Sequence, residues 1–68
     1  MKTYGRLRED IKNKFGTLRN FAEVMGISYT TLSAKLSGKT DWKVAEMENV
    51  CHMLDASIDK VRDYFFYD

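Results

Sequence analysis

The segment Thr17-Leu18-Arg19-Asn20-Phe21-Ala22-Glu23-Val24-Met25-Gly26-Ile27-Ser28-Tyr29-Thr30-Thr31-Leu32-Ser33-Ala34-Lys35-Leu36-Ser37-Gly38 holds two apolar rows of helical spacing with a glycine between them. In the first row, Leu18, Phe21, Ala22 and Met25 recur at i, i+3, i+4 and i+7, which is one face of a helix. Thr17 stands before that row, and its hydroxyl is suited to accept from the unpaired N–H groups of a helix start. Gly26 stands after it, where a sharp turn demands positive φ. Ile27 and Ser28 make the turn, and Ser28 is a second N-cap. A further helix then runs from Tyr29 to about Leu36, with Leu32 and Leu36 inward and Gly38 closing it. Two short helices joined by about three residues, with glycine at the break, describe a helix-turn-helix motif over about residues 17–38.

Each position in that motif has a physical reason. Ala22 lies where the two helices cross, and a larger side chain would hold them apart. Ile27 plugs the corner, and Leu32 anchors the second helix on the first. With those faces committed inward, the outward face of the second helix presents Tyr29, Thr30, Ser33 and Ala34. Apart from the tyrosine these are small hydrogen-bonding and methyl-bearing groups, narrow enough to enter a major groove. A plain helical hairpin in a small bundle would account for Ala22 or Gly26 singly. It does not account for the full set of Ala22, Gly26, Ile27 and Leu32 followed by Gly38-Lys39.

Outward from the motif the same period continues. A first helix is expected from about Tyr4 to Phe15, with Leu7, Ile11 and Phe15 in one row and Gly16 ending it. Lys39-Thr40-Asp41 forms a polar loop. After Trp42 a fourth helix carries Met47, Val50, Cys51 and Leu54, and Ser57 is expected to cap a fifth with Ile58, Val61 and Phe65 inward. No stretch alternates in the manner of a strand. The expected class is all-α, a five-helix orthogonal bundle with short loops, and 68 residues form one domain, 1–68.

Charge is unevenly divided. Residues 1–43 carry nine Lys or Arg against four acids (net +5), whereas residues 44–68 carry two against six (net −4). A polyanion is drawn to the first part and repelled by the second. Catalysis is not expected: there is one histidine, no Gly-rich phosphate loop and no nucleophile–base–acid spacing. A single cysteine, Cys51, excludes an internal disulfide and reads as a small core residue, with His52 beside it facing solvent. No metal, cofactor or small-molecule ligand is expected. No run approaches the ~18 apolar residues of a membrane span. Met1-Lys2-Thr3-Tyr4-Gly5 lacks the apolar core of a signal peptide, so a cytoplasmic location is expected.

Ala22 to Ser33 resembles the helix-turn-helix of the Cro and lambda-repressor superfamily. With Lys14-Phe15-Gly16-Thr17, Lys35-Leu36, Asp41-Trp42 and Tyr64-Phe65-Phe66, nearly the whole chain resembles the small Cro-like repressors of phages and prophages of Gram-positive bacteria. The resemblance implies a lambda-repressor-like fold, palindromic double-stranded operator DNA as partner, and transcriptional regulation. By correspondence, Tyr29, Thr30, Ser33 and Ala34 meet base edges. Thr17, Arg19, Ser28, Thr31, Ser37, Lys39, Thr40 and Lys43 lie within reach of phosphate. Lys35 stands where many superfamily members bury an aliphatic residue. Snorkelling toward phosphate is expected of it, with core as the other placement. Trp42 resembles a base-stacking residue, yet a lid on the core suits it better. The aromatic ending exceeds what a fifth helix needs for its own packing, so Tyr64, Phe66 and Tyr67 are expected to form a homodimer interface. An interaction module such as an antirepressor or antitoxin is the alternative. It requires large apolar groups on the recognition face, where only Tyr29 is large.

Overall fold

The computed structural model describes residues 4–66, and among them every regular element is helical. The elements are α1 (Gly5–Phe15), α2 (Leu18–Met25), α3 (Tyr29–Leu36), α4 (Val44–Met53) and a π-helix (Arg62–Phe66). None of these helices is long and apolar enough to cross a membrane.

The helix boundaries follow from local chemistry. Thr17 caps α2 by accepting from the N–H of Asn20 at 3.1 Å, and Asn20 closes the corner from the other side by donating Nδ2 to the carbonyl of Phe15 at 3.0 Å. Gly26 takes the left-handed conformation (φ 78°, ψ 24°). Its N–H goes to Glu23 O and that of Ile27 to Ala22 O, the paired bonds that close a helix end. Ser28 caps α3 by accepting from the N–H of Thr31 at 3.1 Å. At the far end Gly38 (φ 84°) repeats the closing pattern, with its N–H on Lys35 O and that of Lys39 on Ala34 O. At α4, Glu46 reaches back to accept from the N–H of Lys43 at 2.8 Å, which satisfies one unpaired donor of the helix start.

These caps turn the apolar rows onto one core. Leu7 and Ile11 of α1, Phe21 and Ala22 of α2, Leu32 and Leu36 of α3, and Val50, Cys51 and Leu54 at α4 are all buried. Trp42, Tyr64 and Phe65 complete the core. Phe15, Leu18, Met25, Ile27 and Met47 pack half-buried at its edge. Trp42 is the lid the sequence suggests. Its ring meets Phe65 edge-on at 5.0 Å and Tyr4 at 6.4 Å. Tyr4, whose ring also lies 6.4 Å from that of Phe65, takes a left-handed conformation (φ 53°) at the start of α1, one that a bulky residue rarely adopts.

The C-terminal element departs from expectation. Residues 58 and 59 form a turn, with Lys60 N–H to Ser57 O and Val61 N–H to Ile58 O, and a short α-helical step at 60–61 leads directly into the π-helix. Ile58, expected inward, is exposed, whereas Val61 is half-buried against the core and Phe65 is buried, as expected. Within the π turn two consecutive aromatic side chains, Tyr64 and Phe65, are buried.

Candidate nucleic-acid interface

Helix α3 is short, and its inward side is taken by Leu32, Lys35 and Leu36. What remains outward is polar. Tyr29, Thr30, Ser33 and Ala34 share one shallow hollow of about 320 Å³ with Ser37 and Lys39, so the four expected base-facing residues lie on one continuous surface. Tyr29 and Thr30 are exposed, and Ser33 and Ala34 are half-buried at the floor.

A second hollow, about 340 Å³, adjoins the start of α2 and is lined by Lys12, Gly16, Thr17, Leu18, Arg19 and Tyr29. The Arg19 guanidinium lies over the Tyr29 ring, 4.4 Å from its centroid. Thr17 and Arg19 are exposed there, and the first N–H groups of a helix have no partner within it. On the other flank Ser37, Lys39, Thr40 and Lys43 are exposed in and after the turn that follows α3. Ser37 donates its hydroxyl to Ala34 O at 3.1 Å. Ser28 and Thr31 are also exposed and are bonded to each other, Ser28 Oγ donating to Thr31 Oγ1 at 2.9 Å. The arrangement is a ridge of small polar groups between two rims that carry cations.

Two expected site residues are placed elsewhere. Lys35 is a core residue, only 8% exposed. Its ammonium donates to Glu46 Oε1 at 3.0 Å and to Asp41 O at 3.2 Å, and it sits 5.6 Å from the Trp42 ring centroid. With its donors directed inward and its stem packed, Lys35 is corrected from phosphate contact to interior clamp. The bonds from the Lys43 N–H and from Lys35 hold the Glu46 carboxyl below the usual range. Tyr64 is buried at 3%, and its hydroxyl donates to Asp10 Oδ2 at 2.6 Å. Burial first, and the Asp10 carboxylate second, push its phenol far above the ordinary value. A side chain so enclosed is not free to face a partner, so Tyr64 leaves the expected dimer patch. Phe66 remains exposed, while Tyr67 lies outside the described residues.

One positioning residue has no special mark in the sequence. Arg8 of α1 donates Nη2 to the carbonyl of Leu36, the last residue of α3, at 2.9 Å. Read by itself, Arg8 is one more cation of a basic helix. Its job depends on a contact across 28 residues.

Together these features define an all-α protein whose exposed third helix is capped at both ends, keyed to the core, and rimmed by cations. The chain belongs to the family described as protein of unknown function (DUF739), whose model matches residues 2–68. None of the curated proteins matches it.

Proposed function

We propose that this protein is a sequence-specific DNA-binding regulator of the helix-turn-helix kind, with a lambda-repressor-like fold. Helices α2 and α3 form the motif, and α3 enters the major groove of a palindromic operator, as in the Cro-like repressors of phages and prophages. Tyr29, Thr30, Ser33 and Ala34 read base edges. Thr17, Arg19, Ser28, Thr31, Ser37, Lys39, Thr40 and Lys43 grip the backbone on either side. Two copies act together, in the cytoplasm, with Phe66 at their contact.

The observation that carries this reading is the continuous hollow along α3. Its lining of hydroxyls, a methyl and a phenol suits donor–acceptor readout, and exposed Arg19, Lys39 and Lys43 flank it. The test is selection of bound duplexes from a random pool, followed by mobility shift on the enriched sequence. The expected result is one enriched palindrome whose half-site centres lie about 34 Å apart. A pool that enriches nothing would overturn the reading, and would favour a protein partner for the same face.

A further inference from the structure

Tyr29 lines both hollows: the one along α3 and the one at the start of α2. It is the first residue of α3, and Arg19, in the first turn of α2, covers its ring at 4.4 Å. Tyr29 is 38% exposed, and the Arg19 guanidinium lies against one face of its ring. A guanidinium so placed restrains the ring, and it is a group that can stack with its face while keeping its N–H edge for an acceptor. From these contacts we infer that Arg19 and Tyr29 act as one recognition unit. Arg19 is the positioning residue that sets the sequence preference read through Tyr29. This rests on the DNA-binding reading above and deepens it.

The coupling works in a definite direction. A phosphate oxygen that accepts from the Arg19 edge fixes the guanidinium, and the fixed guanidinium holds the ring toward the neighbouring base pair. Backbone grip and base choice are then linked at this corner, although phosphate contacts by themselves carry no sequence information. Lysine keeps the charge but has neither the plane to stack nor the fork to hold two directions at once. Arg19→Lys therefore separates the two contributions.

The experiment compares the parent, Arg19→Lys, Tyr29→Ala and the double variant on the selected operator and on duplexes substituted at each half-site position. The parent's salt slope should survive in Arg19→Lys. Its preference at the position lost in Tyr29→Ala should fall about two- to fivefold, the range of an exposed cation–π pair. The double variant should discriminate no worse than Tyr29→Ala alone. In the free protein, NMR should show the Arg19 side-chain protons shifted upfield by the ring, and Tyr29→Ala should abolish that shift. Full preference in Arg19→Lys, or losses that multiply in the double variant, would overturn the coupling while leaving DNA binding intact. A parent without any preference would overturn the DNA reading and the coupling with it.

Discussion

The Arg8 guanidinium and the Leu36 carbonyl, 2.9 Å apart, tie the end of α3 to the middle of α1. The N–H groups of Ser37, Gly38 and Lys39 satisfy Ser33, Lys35 and Ala34 O, which leaves Leu36 O beyond the reach of that turn. Arg8 supplies the missing donor, and a charged donor there also suits the negative end of the helix. The tilt of α3 is therefore set from α1 as well as from its own apolar side. Arg8→Met should keep most of the stem packing and lose the bond, costing about 1 kcal/mol. In a domain this small that corresponds to a fall of roughly 4–8 °C in melting temperature. An unchanged melting curve would mean that water replaces Arg8 at no cost.

Lys35 and Glu46 make a second internal clamp, and its pH dependence has a definite sign. The folded Glu46 carboxyl titrates below its ordinary value of 4.5, first through the Lys43 N–H and then through Lys35. Its stabilising contribution is thus complete above about that value and is lost as pH falls through the lowered folded one. Melting followed from pH 7 to pH 3 should show this loss, shared with Asp55, which Lys14 also holds low. Glu46→Gln should flatten part of the acid slope. Lys35→Met should leave part of it, since the Lys43 N–H remains. Lys35→Ala, which removes the buried stem as well as the ammonium, should destabilise more than Lys35→Met. An acid slope identical in Glu46→Gln and the parent would show that Glu46 does not carry it.

The contrast between these clamps and the caps explains what the sequence could disclose. Thr17, Ser28 and Gly26 act on residues within a few positions, so the bounds of α2 and α3 are readable from the chain itself. The outward placement of Tyr29 and Thr30 follows once Leu32 and Leu36 point in. Lys35 was only half readable: its position allowed core as well as phosphate, and the partner that decides for the core, Glu46, lies 11 residues away. Tyr64 was less so, since Asp10 is 54 residues distant and the π turn that aims the phenol inward has no sequence signature of its own. Arg8 belongs with them. Polar side chains whose partners are remote read as surface until packing places them.

Gly26 gives a test of backbone conformation free of crowding. A Cβ placed there meets nothing within 4 Å, yet φ is +78°. The penalty for substitution is therefore conformational. Gly26→Val should destabilise by about 1–3 kcal/mol, because a β-branched residue tolerates that region poorly. Gly26→Asn should cost distinctly less, since asparagine visits it more readily. Chemical denaturation of both variants reads the difference, and equal losses would point to a cause other than φ.

The two rims and the ridge should separate in binding assays. Thr30→Ala or Ser33→Ala should weaken cognate binding by about 1–3 kcal/mol and spare non-specific binding. Lys39→Ala or Lys43→Ala should weaken both alike and each reduce the salt slope by about 1. The parent, with a dimer neutralising some 6–10 phosphates, should lose ~10³–10⁵ in affinity between 50 and 200 mM salt. If Thr30→Ala leaves preference untouched, the other side of α3 faces the bases. A flat salt response would remove the electrostatic part of the account.

Phe66 bears on how two copies meet. It is 61% exposed and lines a hollow of about 280 Å³ formed with Tyr4, Asp41, Trp42, Met47 and Phe65. In a two-fold dimer the same patch serves both copies, so Phe66 of one and the hollow of the other are used twice. With Tyr64 turned inward, the patch is smaller than the aromatic ending suggested. Among the described residues of that ending Phe66 is the exposed aromatic ring, which is little beside the ~1,200–2,000 Å² that stable interfaces bury. Association in solution should accordingly be weak, and a palindromic operator should complete it by binding both copies. Phe66→Ala should lower the melting temperature less than Phe65→Ala, whose ring is buried. It should make operator occupancy depend more steeply on protein concentration. Sedimentation of the parent on the full operator should give two protomers per duplex. One protomer per full operator, with isolated half-sites bound equally well, would exclude the dimer and leave the reading of α3 standing.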